Sequence, residues 1–127
     1  MSARAGLAVA AVLAGFLFAG SESRQRWTPI VFEEIAGEAG IRFVLNNSAT
    51  PNKHQIETMP AGVGIIDFDN DGFEDVYFVN GASIPRLAKD APSYWNRLYR
   101  NLGNGSFRDV TQEAGVAGRG YGMAVAV

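Results

Sequence analysis

The stretch Asp67-Phe68-Asp69-Asn70-Asp71-Gly72-Phe73-Glu74-Asp75 sets carboxylates at positions 1, 3, 5 and 9 of a short run, with a glycine at position 6. Four like charges this close repel one another, and a hard divalent cation removes that repulsion. Ca²⁺ takes six to eight oxygens, and alternate residues of a curled loop can aim theirs at one point. Gly72 permits the sharp turn that lets the Phe73 carbonyl face inward. The ligand set predicted from spacing is therefore Asp67, Asp69, Asp71 and Asp75, the Phe73 carbonyl, and one or two waters. The bland alternative is an acidic surface turn with no metal.

The elements around the loop must be strands. An EF-hand would need helical flanks and a bidentate Glu at position 12, but position 12 is Phe78. Val63-Gly64-Ile65-Ile66 precedes the loop and Val76-Tyr77-Phe78-Val79 follows it. β-branched and aromatic residues in short apolar runs indicate buried strands. Further strands are predicted at 41–45, 96–101 and 106–110. The last two form a hairpin around Leu102-Gly103-Asn104-Gly105, where Asn-Gly tolerates positive φ. Leu98, Phe107 and Tyr99 are its packing residues. Residues 46–60 and 81–92 are polar or turn-rich connections.

Two internal matches appear. Phe32-Glu33-Glu34-Ile35-Ala36-Gly37-Glu38-Ala39-Gly40-Ile41 recurs, 75 residues on, as Phe107-Arg108-Asp109-Val110-Thr111-Gln112-Glu113-Ala114-Gly115-Val116. Each copy runs from a strand end into one helical turn. Asp109 can cap the second turn with Gln112 at the reciprocal position, and Gly40 and Gly115 are left-handed stops. More loosely, Gly62-Val63-Gly64-Ile65 matches Ala124-Val125-Ala126-Val127. Repeats of this length with several short strands indicate propeller blades or a related β array. The chain ends inside an apparent strand, so a fragment of a longer propeller is expected.

Charge and composition narrow the function. Residues 61–80 hold five of the chain's 13 acids and none of its 11 bases. That concentration favours a cation over nucleic acid, and Arg97, Arg100 and Arg108 read as solvated strand faces. No cysteine is present, so neither a disulfide nor a thiol nucleophile is available. The lone His54 lies in a polar loop. Ser48, Ser83 and Ser93 lack a glycine elbow, and Gly62-Val63-Gly64 is too short for a phosphate loop. Calcium would consume the aspartates and leave no acid/base pair, so the chain is not expected to be an enzyme. Asn46-Asn47-Ser48 and Asn104-Gly105-Ser106 are glycosylation sequons that read as loop and turn asparagines.

The N-terminus reads as an export signal over 1–21. Arg4 supplies the positive start, 5–20 is uncharged and mostly apolar, and Ala19, Gly20 and Ser21 offer a small-residue cleavage site. Residues 22–31 form a linker and 32–127 the repeat region. The apolar run is short for a span of about 20 residues. An uncleaved signal anchor and a buried core helix are the alternatives. Export predicts a secreted or periplasmic protein with no membrane span after signal removal, or a tethered one if the anchor stays.

The run Gly62 to Gly81 followed by Asn96-Arg97-Leu98-Tyr99-Arg100-Asn101-Leu102-Gly103-Asn104-Gly105-Ser106-Phe107 resembles FG-GAP/VCBS-type repeats, the calcium-loop blades of integrin-α-like β-propellers. More narrowly it resembles exported repeat proteins of the ASPIC/UnbV, or cartilage-acidic-protein-like, family, whose N-terminal part is similar to Phe32 onward. Met59-Pro60-Ala61-Gly62 departs from the glycine run usual before the first calcium strand, and the C-terminal ASPIC/UnbV module is absent. The resemblance implies an all-β propeller of antiparallel strands, with calcium at Asp67, Asp69, Asp71, Phe73 and Asp75. It also implies extracytoplasmic adhesion to a protein or glycan, with further blades as partners. The rival is a propeller enzyme, a lyase or hydrolase, whose active site lies in other blades.

Overall fold

The computed structural model of the chain describes residues 28–127. The export signal at 1–21 and most of the linker lie outside the described residues. All the elements below belong to the unit Phe32–Val127.

Four strands, β1 (Gly62–Ile66), β2 (Asp75–Val79), β3 (Arg97–Asn101) and β4 (Phe107–Asp109), form one antiparallel sheet in the order β1-β2-β3-β4. This all-β meander has the topology of a propeller blade. The only helical pieces among the described elements are single 3₁₀ turns at Gln55–Thr58 and Pro92–Tyr94, and no helix there is long and apolar enough to cross a membrane. Register places Ile66 opposite Asp75 and Val63 opposite Phe78, so the acidic stretch is the β1–β2 connection. Tyr77 then pairs with Leu98, and Asn101 with Phe107.

The period-2 alternation sorts side chains onto two faces. Val63, Ile65, Val76 and Phe78 share one face. Gly62, Gly64, Tyr77 and Leu98 share the other. On the first face Phe43 stacks on Phe78 at 4.6 Å, and Phe78 meets Tyr99 edge-on at 5.8 Å. On the second face the two glycines allow a close approach. A Cβ on Gly62 would stand 2.8 Å from the Val125 nitrogen, and one on Gly64 3.1 Å from Val127 Cγ2. The loosely matched run 124–127 thus lies against β1 without joining the ladder.

Residues 41–45, expected as a strand, stay outside every ladder. Their polar groups are met by side chains instead. The Arg42 N–H donates to the Tyr99 hydroxyl at 3.2 Å, and Asn80 Nδ2 donates to the Val44 carbonyl at 3.3 Å. Only Phe43 of this run packs on the sheet, while Val44 and Leu45 stay exposed, so the apolar pattern marks one anchoring ring and not a buried strand. The hairpin forms where expected, closed by Leu102 N–H donating to the Ser106 carbonyl at 2.9 Å. Its positive φ values fall on Gly103 (72°) and Gly105 (84°), however, not on Asn104. Asn104 works through its side chain, with Oδ1 accepting from the Ser106 amide and hydroxyl.

The long repeat holds at the level of single hydrogen bonds. Ala39 donates to the Ile35 carbonyl, Gly40 to Gly37 and Ile41 to Ala36; Ala114 donates to Val110, Gly115 to Gln112 and Val116 to Thr111. Gly40 (φ 87°) and Gly115 (φ 67°) are the left-handed stops. The caps correspond as well: the Ala36 N–H donates to Glu34 Oε1, and the Thr111 N–H to Asp109 Oδ1. No reciprocal bond from Gln112 is present among the described residues. The first turn also guards the sheet edge, because the Ala39 carbonyl accepts from the Phe107 N–H of β4 at 2.7 Å.

Much of the interior is polar. Asp75, Asn80 and Thr111 are its largest fully buried side chains, and each is hydrogen-bonded, as burial requires. Asn80 Oδ1 accepts from the Asn46 and Gly81 amides while Nδ2 faces the carbonyls of Val44, Ser93 and Trp95. Beside it, Lys89 Nζ donates to the carbonyls of Asn80, Gly81 and Tyr94 at 2.7, 2.6 and 2.7 Å. Burial pushes its pKa down to about 8. The connection 80–96 is thus gathered around the ammonium of its own lysine.

Candidate metal centre

The acidic loop is bent by its own carboxylates. Asp67 accepts from the Asp71 N–H through Oδ1 (3.1 Å) and from the Gly72 N–H through Oδ2 (3.0 Å). Asp71 Oδ1 accepts from the Phe73 N–H at 3.0 Å. Gly72 has φ +87°, and nothing stands where its Cβ would be, so the glycine serves backbone conformation, not space. In the loop so bent, one oxygen each of Asp67, Asp69 and Asp71 lies within 4.8 Å of the others, Asp67 half-buried and the other two exposed.

Three of the five predicted ligands are thereby gathered. The other two stand at the loop's exit. Asp75 opens β2 and is fully buried. Its Oδ2 accepts from the Phe68 N–H at 3.0 Å and its Oδ1 from the Asn101 N–H at 2.7 Å. It staples the loop's start to the end of β3. Phe73 lays its ring over the hairpin: a Cβ on Gly103 would lie 2.7 Å from Phe73 Cζ. The acidic loop and the β3–β4 turn therefore hold each other in place.

Carboxylate spacing alone gives no sign of Arg100. From β3 its Nη2 donates to Asp71 Oδ2 at 2.7 Å, and its Nε lies 2.8 Å from Asp69 Oδ2. That second contact is an ion pair without hydrogen-bond alignment. Nε is accordingly the one buried side-chain polar atom among the described residues that has no hydrogen-bond partner. The Arg100 hydrogen bond, seconded by the Phe73 amide, holds the Asp71 carboxyl below its usual range. The same pairing raises Arg100 above an ordinary guanidinium. Arg97 and Arg108, also read as solvated, pair with Asp109 (3.1 Å) and Glu113 (3.0 Å). A cross-strand register would have exposed Arg100, since Val76 pairs with Tyr99 and the next pair along sets Asp75 opposite Arg100. His54 is exposed, as its polar loop implied.

Residues 67–127 match the family model of the FG-GAP-like repeat. The match opens on the first aspartate of the loop and takes in β2, β3, β4 and the second helical turn. No curated protein and no solved structure matches the chain significantly. The narrower likeness to ASPIC/UnbV proteins is no part of the FG-GAP match. Within the FG-GAP-like segment β2, β3 and the β3–β4 turn bring Asp75, Arg100, Asn101 and Gly103 to the acidic loop. The repeat thus contains its own support for the site.

Proposed function

We propose that this chain is an exported blade-type repeat module whose acidic loop takes calcium and whose connecting loops bind an extracellular protein or glycan in adhesion. The observation that carries the reading is the convergence of Asp67, Asp69 and Asp71 oxygens within 4.8 Å in a loop that opens an FG-GAP-like repeat. Ligands on one Ca²⁺ lie about 2.3–2.6 Å from it, so its oxygens are at most about 5 Å apart. The cluster meets that condition. An all-oxygen donor set with no cysteine favours a hard ion over zinc or copper. Asp67, Asp69 and Asp71 would hold the ion, with the Phe73 carbonyl and Asp75 as the further ligands the spacing suggests. The ion would supply charge neutralisation and a fixed entry into β2, and it would stabilise only the folded chain.

The apolar start of the sequence supports export, and outside the cell sites with Kd of about 10⁻⁴–10⁻³ M suffice. Calorimetric titration of the full chain with CaCl₂ tests the metal reading. Asp69→Ala and Asp71→Ala should each abolish the binding heat, and unchanged affinity in both would remove this ligand set. A reporter fused to residues 1–26 should leave the cytoplasm; its retention would overturn the export reading. Binding of labelled protein to cell surfaces should be lost in chelator if the loop supports adhesion. Binding indifferent to calcium would separate adhesion from the site.

A further inference from the structure

We propose that Arg100 is a tethered counter-cation of the acidic loop, so that calcium enters by exchange with its guanidinium. The inference rests on the calcium reading above and concerns how that site is regulated. Three observations carry it. First, Arg100 reaches two of the three clustered carboxylates at once, Asp69 Oδ2 at 2.8 Å and Asp71 Oδ2 at 2.7 Å. Second, the fit is imperfect: Nε is buried beside Asp69 without an aligned hydrogen bond. The guanidinium is held there by charge more than by a matched fork of the kind arginine makes with an ideal carboxylate partner. Third, its strand is fixed independently of the cluster, because Leu98 and Tyr99 are buried and pair with Tyr77 and Val76 of β2. The backbone of Arg100 therefore stays within reach of the loop whether or not an ion is present.

A resident positive charge has two consequences. It relieves the repulsion among the aspartates when no ion is bound, so the loop keeps its shape without calcium. It also opposes any entering cation, because the same carboxylates cannot be fully shared and like charges repel. The site is thereby tuned towards weak binding that tracks high external calcium. Release of the guanidinium on loading would leave Arg100 free to meet an anionic group beside the loop.

The test uses the full chain as wild type, Arg100→Gln and Arg100→Lys, titrated with CaCl₂ by calorimetry and melted in chelator and in calcium. Arg100→Gln should bind calcium about tenfold more tightly, the equivalent of two partly exposed ion pairs removed from competition. Its Tm in chelator should fall and its calcium-induced rise in Tm should exceed that of wild type. Arg100→Lys keeps a charge but cannot span both carboxylates, so it should tighten binding by about threefold. Should the glutamine variant fail to fold, the lysine variant decides. Wild-type binding with equal or weaker affinity in the variants overturns the exchange and leaves the calcium reading standing. No binding by any of the three proteins removes the calcium reading, and the exchange with it.

Discussion

The two long connections of the blade are built around cations in opposite ways. The β1–β2 loop gathers anionic oxygens and meets a positive charge sent from another strand, Arg100. The β2–β3 connection gathers neutral carbonyls and closes them on its own Lys89. The first is exposed and its cation stands on a different strand, so exchange is possible. The second is half-buried, its cation is covalently part of the loop, and all three ammonium hydrogens are used. A blade can thus carry one built-in and one replaceable organising cation. Only the built-in one should matter greatly for stability in the absence of metal.

The largest effect that would break this contrast is at Lys89. Lys89→Met strands three carbonyls and should cost about 3 kcal/mol, since hydrogen bonds to charged groups contribute about 1.5–3 kcal/mol each and the carbonyls can regain water only in part. Calcium affinity should not change. Urea denaturation reads the first outcome and calorimetry the second; a variant as stable as wild type would make the lysine ornamental.

Asp75→Asn comes next. It turns one of two buried acceptors towards an amide donor, at Phe68 or Asn101, and should cost about 2 kcal/mol. Here calcium binding should weaken too, because the loop loses its staple. Full retention of both properties would detach the loop from β3.

Alkaline titration sharpens the comparison further. Lys89 is depressed from 10.5 to about 8 in the folded chain, so between those values the unfolded chain binds more protons. Stability should therefore be flat below pH 8 and rise from about 8 towards 10. Above that, Tyr99, raised mainly by burial, ionises first in the unfolded chain and reverses the trend. Thermal melts across this range should show the rise in wild type and not in Lys89→Met.

The smallest effect is expected at the exchangeable site. Asp69→Ala in chelator removes one partly exposed ion pair and should change stability by less than about 1 kcal/mol. A loss several times larger, seen in the same melts, would make the acidic loop as structural as the lysine one.

These differences also explain what the sequence made legible. The acidic loop, its flanking strands and the hairpin show in residue order because their chemistry is local: carboxylate spacing, apolar alternation, glycine. The repeated turn is equally local, and its bonds follow its residues one for one. Residues 41–45 look like a strand in residue order, yet only Phe43 meets the sheet and Val44 and Leu45 stay exposed. Arg100 and Lys89 were unreadable because their partners are set by register and by the fold of a long connection. Asn104 was assigned the right turn and the wrong device, side-chain bonding in place of positive φ.

The clasp between the first helical turn and β4 bears on the order in which the blade assembles. Every ladder joins strands adjacent in the chain, so the sheet can grow by short loop closures. The bonds that tie 41–47 to the sheet and its connections span 34 residues from Asn46 to Asn80, 57 from Arg42 to Tyr99 and 74 from Asn47 to Tyr121. Distant closures cost more chain entropy and slow folding. The N-terminal cover should therefore arrive last and leave first. Pulsed hydrogen exchange would find the β2 and β3 amides protected while those of residues 36–46 are still exchanging.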